Sequence, residues 1–135
     1  MKVSSWILPV LLLVMSAAGI GSARIFAAPS YEVTFERPAA QVDRREVETA
    51  TFVIRGLKCV DTARTAGGQL AGAPGVLRFV AYASRNEARV TFDSRVTSAG
   101  AIRESIEGPV FDEAASEILF HQFEVVSING RKPNE

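Results

Sequence analysis

From residue 46 onward the apolar residues switch between strand spacing and helix spacing. The order of those switches restricts the fold more than any other feature of the chain. Residues 47–55 alternate and are rich in Thr, Val, Phe and Ile, the pattern of a half-buried strand with Phe52 and Ile54 on its inner face. Residues 60–71 place Ala63, Ala66 and Leu70 at helical spacing. Gly67 and Gly68 weaken that helix by about 1 kcal/mol each relative to alanine. Pro74-Gly75 marks a turn. Residues 76–83 form a second strand pattern with Val76, Val80 and Tyr82 apolar, Ser84-Arg85-Asn86 fits a hairpin loop, and residues 88–92 form a third strand. Thr97 or Ser98 can cap a second helix that runs to Glu107 with Ile102 and Ile106 inward, and Gly108-Pro109 ends it. Residues 120–128 make a strongly apolar last strand.

The order β-α-β-β-α-β predicts an α+β chain of the ferredoxin-like kind, an antiparallel four-stranded sheet with two helices on one face. The chain has 135 residues, enough for one domain and little more. Acidic and basic groups balance at 15 each, so no basic field points to nucleic acid. The low charge and the many Val, Ile, Leu and Phe residues exclude a disordered chain.

The first residues are a separate unit. Lys2 precedes the apolar run from Trp6 to Met15, and small residues follow as far as Ala23. Residues 1–23 therefore read as a secretory signal peptide or an N-terminal membrane anchor. Ser16-Ala17-Ala18 and Gly21-Ser22-Ala23 both suit signal-peptidase cleavage. Either reading places the rest outside the cytoplasm, periplasmic or extracellular, or held at the membrane. Residues 24–45 read as a linker containing Pro29 and Pro38. Within it Tyr31-Glu32-Val33-Thr34-Phe35 alternates and fits a short extra strand, but the reading adopted is extended chain between leader and domain. Residues 46–130 form the domain and residues 131–135 a tail.

Cys59 is the only cysteine, in the run Arg55-Gly56-Leu57-Lys58-Cys59-Val60-Asp61-Thr62. It falls between a strand and the start of a helix, where the helix end favours a thiolate. A thiolate suits soft ions such as Cu(I). Asp61 raises the thiol's pKa while Lys58 and the helix end lower it, and the sequence does not order these effects. An exported lone cysteine forms no intrachain disulfide. It is buried, shared with a partner, or reactive.

Together these residues resemble the heavy-metal-associated domain family of copper chaperones, copper-transporting ATPase modules and the periplasmic mercury-binding protein. Gly56-Leu57-Lys58-Cys59-Val60-Asp61-Thr62 follows the frame Gly-Met-x-Cys-x-x-Cys. Leu70, Gly75-Val76, Ala88-Arg89-Val90-Thr91-Phe92-Asp93 and Thr97-Ser98 match the family's later positions. The resemblance covers residues 47–128. It implies binding or transfer of Cu(I) or Hg(II) through Cys59, with Leu57 packed beneath the loop and Lys58 offsetting charge. It also implies a membrane metal transporter or other metal-handling protein as partner.

Two departures stand out. Thr62 replaces the second thiolate with a hard, neutral hydroxyl, and residues 109–118 are longer than the family's tight turn. Three completions of the site stay open. His121, the only histidine, lies at the same sheet end as Cys59 and is a competent second ligand; otherwise it packs beside Phe120 and Phe123. Two copies of Cys59 can share one ion in a homodimer. A transporter's thiols can supply the rest. The alternative to all three is a metal-free interaction module using Thr51, Val53, Arg89, Thr91, Gln122 and Glu124 on the open sheet face, residues that equally describe a solvated face.

Enzyme readings are weaker. A Cys–His pair lacks a third orienting group, and Gly67-Gly68 sits in a helix pattern rather than a phosphate-binding loop such as acylphosphatases require. A structural zinc lacks its four ligands.

Overall fold

The structure is a computed structural model, and it describes residues 6–25, 28–36, 46–112 and 117–133. Helix α1 spans Ile7–Ile25. Strand β1 (Tyr31–Thr34) and strand β2 (Val47–Arg55) lead into helix α2 (Val60–Ala71), then β3 (Val76–Tyr82) and β4 (Glu87–Asp93). Helix α3 (Ala99–Glu107) precedes β5 (Val110–Asp112), β6 (Glu117–Phe120) and β7 (Glu124–Ile128). The chain is α+β, with three helices and a five-stranded antiparallel sheet in the order β1-β3-β4-β2-β7; β5 and β6 pair separately.

Alternation decides what each strand buries. Ala50, Phe52 and Ile54 of β2 turn inward, as do Ala88, Val90 and Phe92 of β4. They meet Ala63, Ala66 and Leu70 of α2 and Ile102 and Ile106 of α3 in one core. The intervening residues Thr49 and Thr91 face the other way, and their hydroxyls meet across the two strands at 3.0 Å. Ser98 is the residue that caps α3, its Oγ accepting the Ala101 N–H at 3.2 Å.

Three expectations need correction. The sheet has five strands rather than four, because the segment expected to be extended linker is β1, paired along its length with β3 from Tyr31↔Ala81 to Thr34↔Arg78. Its Tyr31 ring lies 6.5 Å from that of Phe79, and the Ser30 hydroxyl accepts the Ala83 N–H at 3.1 Å. The last strand of the sheet begins at Glu124, not at residue 120; Phe120 ends β6, and residues 121–123 are a break between the two. Gln122, expected on the open sheet face, falls in that break. Ser84-Arg85-Asn86 does lie in the hairpin loop between β3 and β4, a short 3-10 turn over Ala83–Arg85 closed by Asn86 in the left-handed conformation.

Gly67 has a reason that helix propensity misses. A Cβ there would lie 2.8 Å from the Tyr31 ring, so the missing side chain lets β1 close over α2. A Cβ at Gly68 would meet nothing within 4 Å.

The described side chains of α1 are all exposed, with Leu8 64% and Leu13 71% accessible. Among the described residues no helix is long and apolar enough to cross a membrane.

Candidate functional site

The loop between β2 and α2 is built by a glycine. Gly56 has φ +101°, and a Cβ on it would sit 2.4 Å from the Gln122 carbonyl oxygen and 3.2 Å from the Phe123 ring. Glycine alone satisfies both demands. Leu57 follows, fully buried beneath the loop. Cys59 then takes the N-cap position of α2 with extended backbone, and its sulfur is exposed.

Thr62 is the N3 residue of that cap. Its Oγ1 accepts the N–H of Lys58 at 2.9 Å and of Cys59 at 3.0 Å, and it donates to the Cys59 carbonyl at 2.9 Å. The Cys59 Sγ lies 3.6 Å from the same hydroxyl. The two residues form a capping box in which the Thr62 N–H is directed at the sulfur. Thr62 therefore engages both lone pairs with N–H groups and shares its proton between the Cys59 carbonyl and the sulfur, so no lone pair remains for a metal.

These contacts set the ionisation of the thiol. The Cys59 pKa lies below its ordinary value, first because the Thr62 N–H faces the sulfur, then because the Thr62 hydroxyl and the Asp61 N–H do so too. Desolvation and, after it, the Asp61 carboxylate oppose this and are outweighed. The competition that the sequence leaves open is thus decided by oriented N–H groups at a helix start.

His121 is exposed, in the break before β7. Its Nδ1 donates to the Glu107 carbonyl at 2.7 Å, which leaves the acceptor lone pair on Nε2. It does not pack into the core beside Phe123, which is buried without it. The contact of Gly56 with Gln122 brings the segment holding His121 against the loop that leads to Cys59. Among the described residues, no group of three or more His, Cys, Asp or Glu side chains could hold a metal ion.

Several ion pairs lie on the remaining described surface. Arg55 pairs with Glu124 across β2 and β7, Arg78 with Glu32 across β3 and β1. Arg85 and Arg89 lie over the Tyr82 ring at 4.4 and 5.4 Å. Asp93 is the one buried charged residue among the described side chains, 2% accessible, and its carboxylate takes the Arg95 guanidinium and backbone N–H. Two open grooves, of about 470 and 430 Å³, lie beside β7 and at the start of α3, and Cys59 lines neither.

Sequence reasoning found Cys59, Leu57 and the position of the helix start. It missed Thr62 as a cap; Ser or Thr three residues into a helix, beside a small N-cap residue, is the signal that could have revealed it. Comparison with known protein families, curated proteins and solved structures finds no match for this chain.

Proposed function

We propose that residues 46–130 form an exported, non-enzymatic domain of the heavy-metal-associated kind that binds a soft metal ion weakly through Cys59. The ion, Cu(I) or Hg(II), is cargo. The observation that carries this reading is the exposed sulfur of Cys59, held at a helix N-cap with its pKa lowered by N–H donors. A ferredoxin-like arrangement is supported by two facts. The elements β2-α2-β3-β4-α3-β7 follow that order, and their strands lie as β3-β4-β2-β7, with β1 added at one edge.

Transfer would proceed by ligand exchange. A partner thiolate bonds to the ion, the Cys59–metal bond breaks, and the sulfur leaves with its electron pair; no electron is gained or lost. The second ligand comes from the partner, from a second copy's Cys59, or from the imidazole of His121. Lys58, beside the sulfur in sequence, offsets the charge of the adduct.

The test is a Cu(I) titration of residues 24–135 under reducing conditions, unmodified and as Cys59→Ser. Binding that disappears with the thiol is the expected result, and binding indifferent to it overturns the reading. A second reading, a metal-free interaction module on the same scaffold, is favoured by the engaged hydroxyl of Thr62. It predicts no Cu(I) uptake by the unmodified chain, with uptake appearing only in Thr62→Cys.

A further inference from the structure

Two features of the chain have a joint consequence: the bare apolar surface of α1, and the end of the sheet at which β1 begins. Ile7, Leu8, Val10, Leu11, Leu12 and Leu13 advance by about 100° per residue and so point to every side of the helix. A protein groove covers one face of a helix, whereas lipid surrounds it. The described first half of α1 is apolar all round and exposed, a surface for which lipid is the matching solvent. The connection from Ile25 to Tyr31 is six residues and reaches no more than about 20 Å.

Strand direction then fixes which end of the domain this connection holds. β1 runs antiparallel to β3, β3 to β4, and β4 to β2. β2 and β3 therefore run one way, and β1 runs back against them. β1 starts at the sheet end where β2 finishes: Tyr31 pairs with Ala81, Ala81 with Ala88 and Ala88 with Phe52, three residues before Arg55. Cys59 lies just beyond that end. The lateral offset between β1 and β2 is three strand spacings, about 14 Å.

We infer that α1 stays bound to a lipid bilayer through its apolar residues 7–15 and that the sheet end bearing Cys59 is turned toward the lipid surface, with the opposite end, where β2 begins near Glu48, turned away. This rests on the thiol-site reading only for its purpose. A sulfur facing the membrane is placed to exchange ligands with a partner embedded in that membrane.

The test uses the full chain in vesicles of phosphatidylethanolamine and phosphatidylglycerol. Flotation with the vesicles is expected, with loss of flotation in Leu11→Asp/Leu13→Asp, whose folded domain is checked by circular dichroism. A fluorophore on Cys59 is expected to be quenched by a paramagnetic headgroup lipid more strongly than one on Glu48→Cys in the Cys59→Ser background. Equal or reversed quenching overturns the orientation. Failure to float, or a chain from the native host whose N-terminal sequence begins after Ile25, overturns the retention. None of these readouts depends on copper, so failure here and failure of the metal reading are separable.

Discussion

At the residue scale, Cys59 is defined by its neighbours' N–H groups more than by its own chemistry. Because its pKa is lowered, alkylation by iodoacetamide as a function of pH should have its midpoint below that of the same thiol in the urea-unfolded chain. Thr62→Val should move the midpoint up and Thr62→Ser should restore it, since the hydroxyl lowers the pKa. The sign for stability is that of an acid with a depressed folded pKa. The thiolate's contribution is present above the unfolded thiol's pKa and is lost as pH falls through the folded value. Gly56→Ala should destabilise by about 2 kcal/mol or more, from the positive φ and the approach of the Gln122 carbonyl; the urea midpoint measures it. The cysteine and its helix start were legible as residue types. The role of Thr62 was not, because a cap depends on the backbone angles of residue 59 and the direction of a hydroxyl.

At the scale of elements, the two glycines of α2 separate by their surroundings. Gly68→Ala should stabilise by about 1 kcal/mol, since it adds helix propensity in open space. Gly67→Ala should instead lower the thermal midpoint, because its Cβ enters the Tyr31 ring and displaces β1. Helical spacing shows both glycines on one helix; only the strand lying across that helix distinguishes them. The turn after β4 offers a pH test. Arg95 hydrogen-bonds the buried Asp93 carboxylate and holds its pKa below the usual carboxylate value. Its stability contribution is therefore present above the unfolded Asp pKa, about 3.9, and fades as pH falls through the folded value. The urea midpoints of the unmodified chain and of Asp93→Asn should differ at neutral pH and converge in acid. The outer side of β7 is blunted in the same local way. Val125 N–H goes to the Glu107 carboxylate, and Ile128 exchanges hydrogen bonds with Arg131. The strand is thereby guarded against pairing with a second chain.

At the scale of the whole molecule, β1 is the strand that follows α1 and edges the sheet. A chain beginning at residue 46 lacks β1, and its Phe79, Ala81 and Gly67 lose the cover of Tyr31. It should be less stable than one beginning at residue 28, by about 2 kcal/mol or more, and denaturant midpoints with unchanged transitions would measure this. Several features were written in the sequence alone. The period of the apolar residues set β2, α2 and α3 and their inward faces, because burial of one face is a local geometric rule. The single thiol at the head of α2 was equally plain. Tertiary structure decided the rest. Tyr31-Glu32-Val33-Thr34 is too short to declare itself a strand until β3 offers an edge and Gly67 leaves room. Residues 121–123 continue the last apolar run of the sequence, yet β7 starts only after them, where Gln122 and Phe123 lie against Gly56. Spacing along a chain reports which residues seek the core; which neighbour each one meets depends on contacts between residues far apart in sequence, and only the assembled sheet supplies those.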